Sequence, residues 1–356
     1  MARLKGAKRQ NNQLQLAFEE GTTSEARSQS SGGTEASVAE CSAESLAPDE
    51  QWMERICQRE NLWQALKRVR RNGGSPGIDG MTVDDLTGYL KQRWLEIREQ
   101  LLSGTYQPQP VRRVEIPKPD GGVRKLGVPT VLDRMIQQAA MQVLQGSWDN
   151  TFSESSYGFR PGRSAHQAVA RAQQHIAAGY RWVVDLDLEK FFDRVNHDRL
   201  MGQIAKRVHD KRLLRLIRSW LKAGVLENGL VGPTDEGTPQ GGPLSPLLSN
   251  LVLDQLDREL ERRGHRFARY ADDCNIYVRS RRAGQRLMGG LTRLLEGKLK
   301  LKAVARPCER KIRVLTRRTR GVSLEKMVRD VSRNLQGWQS YFGFCQTPTV
   351  LARPFQ

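Results

Sequence analysis

Two adjacent carboxylates, Asp272 and Asp273, constrain this chain more than any other feature, because apolar and β-branched residues flank them on both sides. Residues 266–279 predict a strand, a tight turn and a second strand. Strands this apolar should be buried, and adjacent carboxylates then repel each other unless a proton or a cation intervenes. A divalent metal such as Mg²⁺ would relieve that repulsion. A solvated hairpin tip is the alternative that this stretch alone leaves open.

A second acid-bearing strand is predicted just before residue 189. Its apolar residues alternate onto one face: Trp182, Val184, Leu186 and Leu188. Asp185 and Asp187 share the other face, because successive side chains of a strand point to opposite sides. Periodicity does not choose between these two acids as partners of the hairpin carboxylates.

The charge balance points to a polyanionic partner. The 356 residues include 58 Lys and Arg against 39 Asp and Glu, a net charge of +19 with a pI of about 10.1. Nucleic acid is the usual partner of so basic a chain. The five Cys form no Cys-x-x-Cys pair, which disfavours a zinc site or a disulfide framework. With no apolar run of membrane-spanning length and no signal-peptide core, we expect a cytoplasmic protein that has no membrane partner.

Composition and local signals divide the chain. Residues 1–50 are rich in Ser, Gly, Glu and Ala and are predicted to be disordered. One long helix is predicted over residues 197–222 and a basic helix over residues 281–302. Capping-box patterns open two further helices: Thr130 with Asp133, and Ser164 with Gln167.

Two loops are suited to phosphate groups. The predicted hairpin at residues 111–128 has Lys118 and Arg124 on its two arms, and a cation on each arm can hold a triphosphate. Edge-strand charges that prevent aggregation are an equally good explanation. The Gly- and Pro-rich residues 237–246 run into a helix, whose N-terminus favours anions, although such turns usually only connect elements.

Taken together, these stretches resemble a reverse transcriptase of the bacterial group II intron type. The matching motifs occur in the family's order at residues 77–80, 117–128, 156–162, 187–192, 238–246 and 270–273. Residues 337–342 resemble the family's maturase, or thumb, segment. The resemblance implies an α+β right-hand polymerase fold with fingers at residues 51–180, a palm at 181–300 and a basic, shortened helical thumb at 301–356.

The resemblance also implies the catalytic residues. Asp187, Asp272 and Asp273 match the carboxylates that hold two Mg²⁺ ions while a dNTP is joined to a primer 3′-hydroxyl. The family's first metal ligand precedes an aromatic residue at the spacing of Asp187 and Phe192, which Asp185 does not fit.

Binding residues are implied in the same way. The residues matched to the incoming dNTP are Lys118, Arg124, Phe192 and Gln240, with Phe192 as a steric gate against the 2′-hydroxyl. The residues matched to the RNA template, primer duplex or intron RNA are Arg160, Arg317, Arg318 and Arg320.

After the hairpin the chain departs from the family, because a Lys-bearing element and a Phe-Leu-Gly-Phe strand of the palm are not found. Three interpretations stay open. The chain is an active reverse transcriptase of a group II intron or related retroelement, an RNA-binding maturase or decayed copy that lacks polymerase activity, or a defence- or CRISPR-associated reverse transcriptase.

Overall fold

The computed structural model describes residues 51–117, 123–188, 191–227, 230–232, 236–237 and 241–307. Within these ranges it describes all side chains except those of Arg124, Asp187, Lys298 and residues 303–307. The predictions that lie outside the described residues are those for residues 1–50, for the thumb beyond residue 307 with its maturase-like segment at 337–342, and for Lys118, Gln240, Arg317, Arg318 and Arg320.

The secondary structure elements follow one another in chain order as α1 (Trp52–Ile56), α2 (Arg59–Asn72), α3 (Leu86–Ser103), β1 (Val111–Pro117), β2 (Val123–Val128), α4 (Val131–Trp148), α5 (Ala165–Ala177), β3 (Trp182–Leu188), α6 (His197–Ile204), α7 (Lys211–Lys222), β4 (Val225–Glu227), β5 (Leu230–Gly232), α8 (Ser245–Arg262), β6 (Arg266–Tyr270), β7 (Asp273–Val278), α9 (Arg281–Leu294) and β8 (Ala303–Pro307). The described residues fall into two compact units, the first made of residues 51–150 and 192–248 and the second of 151–191 and 249–307.

The first unit contains a four-stranded sheet in the order β2-β1-β4-β5. β1 and β2 form the predicted antiparallel hairpin, with Pro117 opposite Val123 at its turn end. β4 runs parallel to β1, and β5 returns antiparallel to β4. The helices bury a core of aliphatic side chains that includes Leu62, Leu66, Leu90, Met135, Ile136, Leu216 and Ile217.

A buried carboxylate, Asp133, links three parts of this unit at the start of α4. Thr130 caps the helix by accepting a hydrogen bond from the Asp133 N–H, as the capping pattern predicted. The carboxylate accepts hydrogen bonds from Thr130 Oγ1 at 2.8 Å, Tyr106 Oη at 3.1 Å, the Gln109 N–H at 3.1 Å and Trp220 Nε1 at 3.3 Å. Burial raises the pKa of Asp133, and these neutral donors oppose the rise.

The second unit contains an antiparallel sheet in the order β6-β7-β3-β8. The alternation predicted for β3 is confirmed, since Val184, Leu186 and Leu188 are buried; Trp182, at the start of the strand, is 44% exposed. α9 packs on this face, where a Cβ at Gly284 would lie 3.3 Å from Val184 Cγ2. α5 covers part of the other face through a cluster formed by Tyr157, Ala168, Ala172, Ala268 and Tyr277.

Two helix predictions were partly wrong, one in the middle of the predicted helix and the other at its C-terminal end. The stretch of residues 197–222 forms two helices, because the Asp210 carboxylate accepts hydrogen bonds from the N–H groups of Arg212 and Leu213 and so begins a new helix there. The predicted basic helix at residues 281–302 ends at Leu294. A π-helical turn and Lys300, with a φ of +55°, then lead into β8.

The short strands β4, β5 and β8 were not predicted from the sequence, whereas the capping box of Ser164 and Gln167 is confirmed in both of its hydrogen bonds. Across the described ranges, no helix combines the length and the apolar character that crossing a membrane requires.

Candidate active site

The turn from Ala271 to Asp272 joins β6 to β7. Tyr270 pairs with Asp273 across it, so only two residues separate the strands, as the sequence predicted. Ala271 has a φ of +58° and Asp272 has no positive φ, which excludes a type I′ turn because that type needs a positive φ at both central positions. Asp272 is half-buried and Asp273 is exposed. The hairpin therefore presents both carboxylates at its tip.

The register of β3 against β7 separates the two candidate acids on β3. Leu186 pairs with Cys274, so the position of Asp187 comes opposite Asp273, directly beside the turn. Asp185 pairs with Asn275 and lies two residues further from the turn, about 7 Å along the strand. The backbone thus brings Asp187 to the hairpin carboxylates and leaves Asp185 further away.

The donor set at this end of the sheet suits Mg²⁺, which prefers one or two carboxylates and leaves its other positions to water and phosphate oxygens. No ion pair to Asp272 is formed by the described residues. Among the described side chains, which do not include that of Asp187, no group of three His, Cys, Asp or Glu residues is arranged around a metal position. Asp272, Asp273 and the register position of Asp187 are the carboxylates that such an ion would use, and the metal site itself stays a prediction.

A fully buried arginine, Arg269, lies directly beneath the turn. Its Nε and Nη2 bond the Asp257 carboxylate at 2.8 Å and 2.6 Å. Its Nη1 donates to Asn250 Oδ1 at 2.9 Å and to the Ala271 carbonyl at 2.8 Å. Its Nη2 also donates to Ser156 Oγ at 2.7 Å. The charge and hydrogen bonds of Asp257 outweigh the effect of burial and raise the pKa of Arg269.

The loop before α5 packs against the same turn. A Cβ on Gly158 would lie 2.2 Å from the Ala271 backbone nitrogen, so only glycine fits at this position. Asn250 Nδ2 donates to the Gly158 carbonyl at 2.9 Å. The Tyr157 N–H donates to the Arg269 carbonyl, and the Arg269 N–H donates to the Ser155 carbonyl, both at 2.9 Å. Residues 155–158 thus form an additional backbone support for the hairpin.

The sequence interpretation missed Arg269, Asp257 and Asn250. A signal was present: Arg269 is two residues from Phe267 in the predicted strand and therefore shares a strand face with a large apolar side chain. A charged residue at such a position requires a buried partner. The identity of that partner, 12 residues earlier on α8, could not be read from the strand pattern.

In the first unit, the segment that contains Phe192 is attached to the loop that precedes Gln240. Phe192 lies in a 3₁₀ turn and is half-buried. The Gly237 N–H donates to the Val195 carbonyl at 2.8 Å, and His197 Nε2 donates to the Gly237 carbonyl at 2.6 Å. A Cβ on Gly237 would lie 2.8 Å from the Phe192 carbonyl oxygen, so glycine permits this close approach.

The other end of that loop is also attached. A Cβ on Gly241, which has a φ of +136°, would lie 2.8 Å from the Gly127 carbonyl oxygen of β2. A Cβ on Gly242 would lie 2.5 Å from Gln137 Oε1 of α4. Gly237 on one side of residues 238–240, and Gly241 and Gly242 on the other, therefore lie close to other segments of the first unit.

Two further predicted site residues have described backbones. Arg124 lies on β2 opposite Ile116, and its side chain lies outside the description. Arg160 is buried, and its Nη1 donates to the carbonyls of Ser153 at 2.7 Å and Ser156 at 3.0 Å. The template contact of Arg160 stays a prediction from the resemblance.

The comparison with protein families defines the class of this protein. Residues 116–303, more than half of the chain, match the model of the reverse transcriptase (RNA-dependent DNA polymerase) family. The chain belongs to that family, and the α+β polymerase fold expected from the sequence is confirmed. Residues 306–353 match the maturase-specific domain of group II introns. The resemblance to the group II intron type is thereby confirmed as well.

Individual relatives agree with this assignment. YkfC from Escherichia coli (strain K12) is 39% identical over 214 residues, which are 58% of this chain and 56% of YkfC. The group II intron-encoded protein LtrA from Lactococcus lactis subsp. cremoris is 39% identical over 195 residues, which are 54% of this chain and 32% of LtrA. The chain thus spans about half of the first relative and a third of the second.

Solved structures give a weaker match. A partial Cas6-RT-Cas1–Cas2 complex is 28% identical to the chain, with a TM-score of 0.44, and the match covers 69% of this chain and 42% of the solved chain.

Proposed function

We propose that the protein is an RNA-directed DNA polymerase of a group II intron or related bacterial retroelement, joining deoxynucleotides to a primer 3′-hydroxyl. The observation that supports this proposal best is the register of β3 and β7, which brings Asp187 beside the turn that carries Asp272 and Asp273. Two rigid, hydrogen-bonded strands are a suitable support for catalytic carboxylates, because the metal positions tolerate little displacement.

In this proposal Asp187 and Asp272 would hold two Mg²⁺ ions, with Asp273 as a further carboxylate beside them. When bound, such ions would supply activation of the primer hydroxyl and stabilisation of the leaving pyrophosphate. The nucleophile is the primer, so the chain's own task is to fix the carboxylates and the nucleotide in line with it.

The nucleotide site is proposed to consist of Lys118 and Arg124 on the triphosphate, Phe192 against the sugar and Gln240 beside the base pair. Attachment of Gly237 to the Phe192 segment supports the idea that the gate and the glutamine loop act together. A half-buried aromatic ring at Phe192 is suited to exclude a 2′-hydroxyl.

The proposed nucleic acid partners are an RNA template, the primer and intron RNA. The residues assigned to their phosphates are Arg160, Arg317, Arg318 and Arg320. The net charge of +19 supports a polyanionic partner, and we propose that the protein works in the bacterial cytoplasm.

Primer extension on an RNA template with dNTPs and Mg²⁺ tests this function, with Asp272→Asn as the diagnostic variant. We expect extension by the wild-type protein and a loss of at least about 1,000-fold in the variant, because the substitution removes a charged metal ligand without changing the size of the side chain. RNA affinity should be unchanged. Absence of extension by the wild-type protein would overturn the polymerase proposal.

A second function, that of a maturase acting on intron RNA without DNA synthesis, is favoured by the match of residues 306–353 to the maturase-specific domain. It predicts that intron splicing or tight, salt-sensitive binding to structured RNA persists in Asp272→Asn. The two functions are compatible in one chain, and both can be measured on the wild-type protein and Asp272→Asn.

A further inference from the structure

Arg269 has an acceptor for every one of its five N–H donors. Two acceptors belong to Asp257, and the others are Asn250 Oδ1, Ser156 Oγ and the Ala271 carbonyl. Both charged side chains are fully buried. Four of these hydrogen bonds hold the arginine among its side-chain partners, and the fifth reaches the backbone of the turn that carries Asp272.

The turn needs such support, because its backbone is not in a favoured conformation. Ala271 has a φ of +58°, and a left-handed conformation costs a non-glycine residue about 1–2 kcal/mol. Strained residues persist where the surroundings fix them from several sides. Here Arg269 fixes the Ala271 carbonyl, and the Gly158 backbone lies against the Ala271 nitrogen.

We infer that Arg269, held by Asp257, Asn250 and Ser156, is a positioning residue that sets the location of the Ala271–Asp272 turn and hence of the Asp272 carboxylate. This inference rests on the proposed function, in which Asp272 is a metal ligand. Arg269 touches neither substrate nor metal in this account. The loop at residues 155–158 supports the hairpin from the side opposite β7 and so helps Arg269 to position the turn.

The alternative is that the pair only stabilises the fold, and the double variant Arg269→Met with Asp257→Leu separates the two roles. Replacing both members of a buried ion pair by apolar side chains of similar volume often leaves stability unchanged or improved. The double variant therefore keeps a packed core and removes the donor to the Ala271 carbonyl. Arg262→Met is the matched control, since Arg262 is exposed on the same helix, its partner Glu259 keeps its ion pair with Arg263, and Arg262 makes no described contact with the turn.

Three measurements are compared between these variants: thermal unfolding, hydrogen exchange at the amides of residues 271–273, and primer extension over a range of Mg²⁺ concentrations. In the double variant we expect native-like unfolding, faster exchange at the turn and a fall in kcat of about 100-fold, the effect of displacing a catalytic group by about 1 Å. The KM for dNTP should change little, and half-maximal activity should need more Mg²⁺. Arg262→Met should match the wild-type protein.

Wild-type exchange and kcat in a folded double variant would overturn the inference. If the double variant does not fold, Ser156→Ala, which removes one acceptor of Arg269, should still raise exchange at the turn, and an unchanged turn in that variant would overturn it as well. Hydrogen exchange needs no catalysis. A wild-type protein that does not extend primers therefore refutes the proposed function while the positioning role is still measured.

Discussion

Asp133 in the first unit and Asp257 in the second are both buried carboxylates, but their partners differ. Asp133 accepts hydrogen bonds from four neutral donors and holds α4 to the chain around Tyr106 and Trp220. Asp257 faces the buried guanidinium of Arg269. Burial raises the pKa of both carboxyl groups, and only Asp257 has a cation to oppose that rise.

The difference shows what a buried charge pair adds to a site. The four hydrogen bonds to Asp133, called the Asp133 hub below, satisfy only the Asp133 carboxylate. Their effect is therefore limited to holding the start of α4 to the chain around Tyr106 and Trp220. Arg269 has donors left after binding Asp257, and it uses them on Asn250, Ser156 and the Ala271 carbonyl. A guanidinium in a fixed fork geometry can therefore transmit the rigidity of α8 to a turn.

The largest effect is expected from Asp257→Asn, which leaves the Arg269 charge buried without an anion. Removing one member of a buried pair costs about 3–5 kcal/mol. We expect a loss of that size in urea unfolding, together with a loss of primer extension. A loss below about 1 kcal/mol would show that water or another group takes over the charge, and the comparison with Asp133 would fail.

A sharper test compares two glycines, one in each unit. Gly158→Ala forces a Cβ against the Ala271 backbone, whereas Gly242→Ala meets the end of the Gln137 side chain, which can rotate away. Overpacking against backbone costs about 1–3 kcal/mol, and we expect Gly158→Ala to lose both stability and extension. Gly242→Ala should lose much less stability. Equal losses in thermal unfolding would contradict the close approach described at Ala271.

Asp133→Asn should cost about 1–3 kcal/mol, because an amide NH₂ replaces an acceptor that faces donors from Thr130 and Gln109. Primer extension per folded molecule should stay at the wild-type level, in contrast to Asp257→Asn. Primer extension that falls as far as in Asp257→Asn would remove the distinction between the two buried carboxylates.

The difference in stability between the wild-type protein and Asp133→Asn should depend on pH in a defined direction. Burial raises the pKa of folded Asp133 above its ordinary value of 3.8. The favourable contribution of this shift to the free energy of unfolding is therefore complete below pH 3.8. The contribution is lost as the pH rises through the folded pKa. Wild-type stability relative to Asp133→Asn should therefore fall from acidic to neutral pH, as measured by urea unfolding at each pH. A difference that grows with pH would contradict the assigned shift.

The smallest effects are expected at the helix caps. Ser164→Ala removes an exposed cap and should cost about 1 kcal/mol. Thr130→Ala removes a buried cap that also donates to Asp133, so its cost should approach about 2 kcal/mol. Thermal unfolding of both variants orders the two caps, and the reverse order would show that the hydroxyl of Thr130 adds nothing to the Asp133 hub.

The sequence was sufficient for features that have a local pattern. The hairpin around Asp272, the alternation of β3 and both caps could be predicted, because each depends on neighbouring residues. Asp210 as a helix start was missed, since an aspartate between two apolar periodic stretches also fits a continuous helix. The Arg269–Asp257 pair connects a strand to a helix face, and the strand β8 depends on its pairing with β3, so neither could be predicted without the tertiary structure.

The central claim is that the register of β3 makes Asp187, and not Asp185, the partner of the hairpin carboxylates. Primer extension with Asp187→Asn and Asp185→Asn, two isosteric changes two residues apart on one strand, tests it most directly. We predict that Asp187→Asn loses extension by about 1,000-fold or more, whereas Asp185→Asn stays within about tenfold of the wild-type protein. Equal loss in both variants, or a greater loss at Asp185, would contradict it.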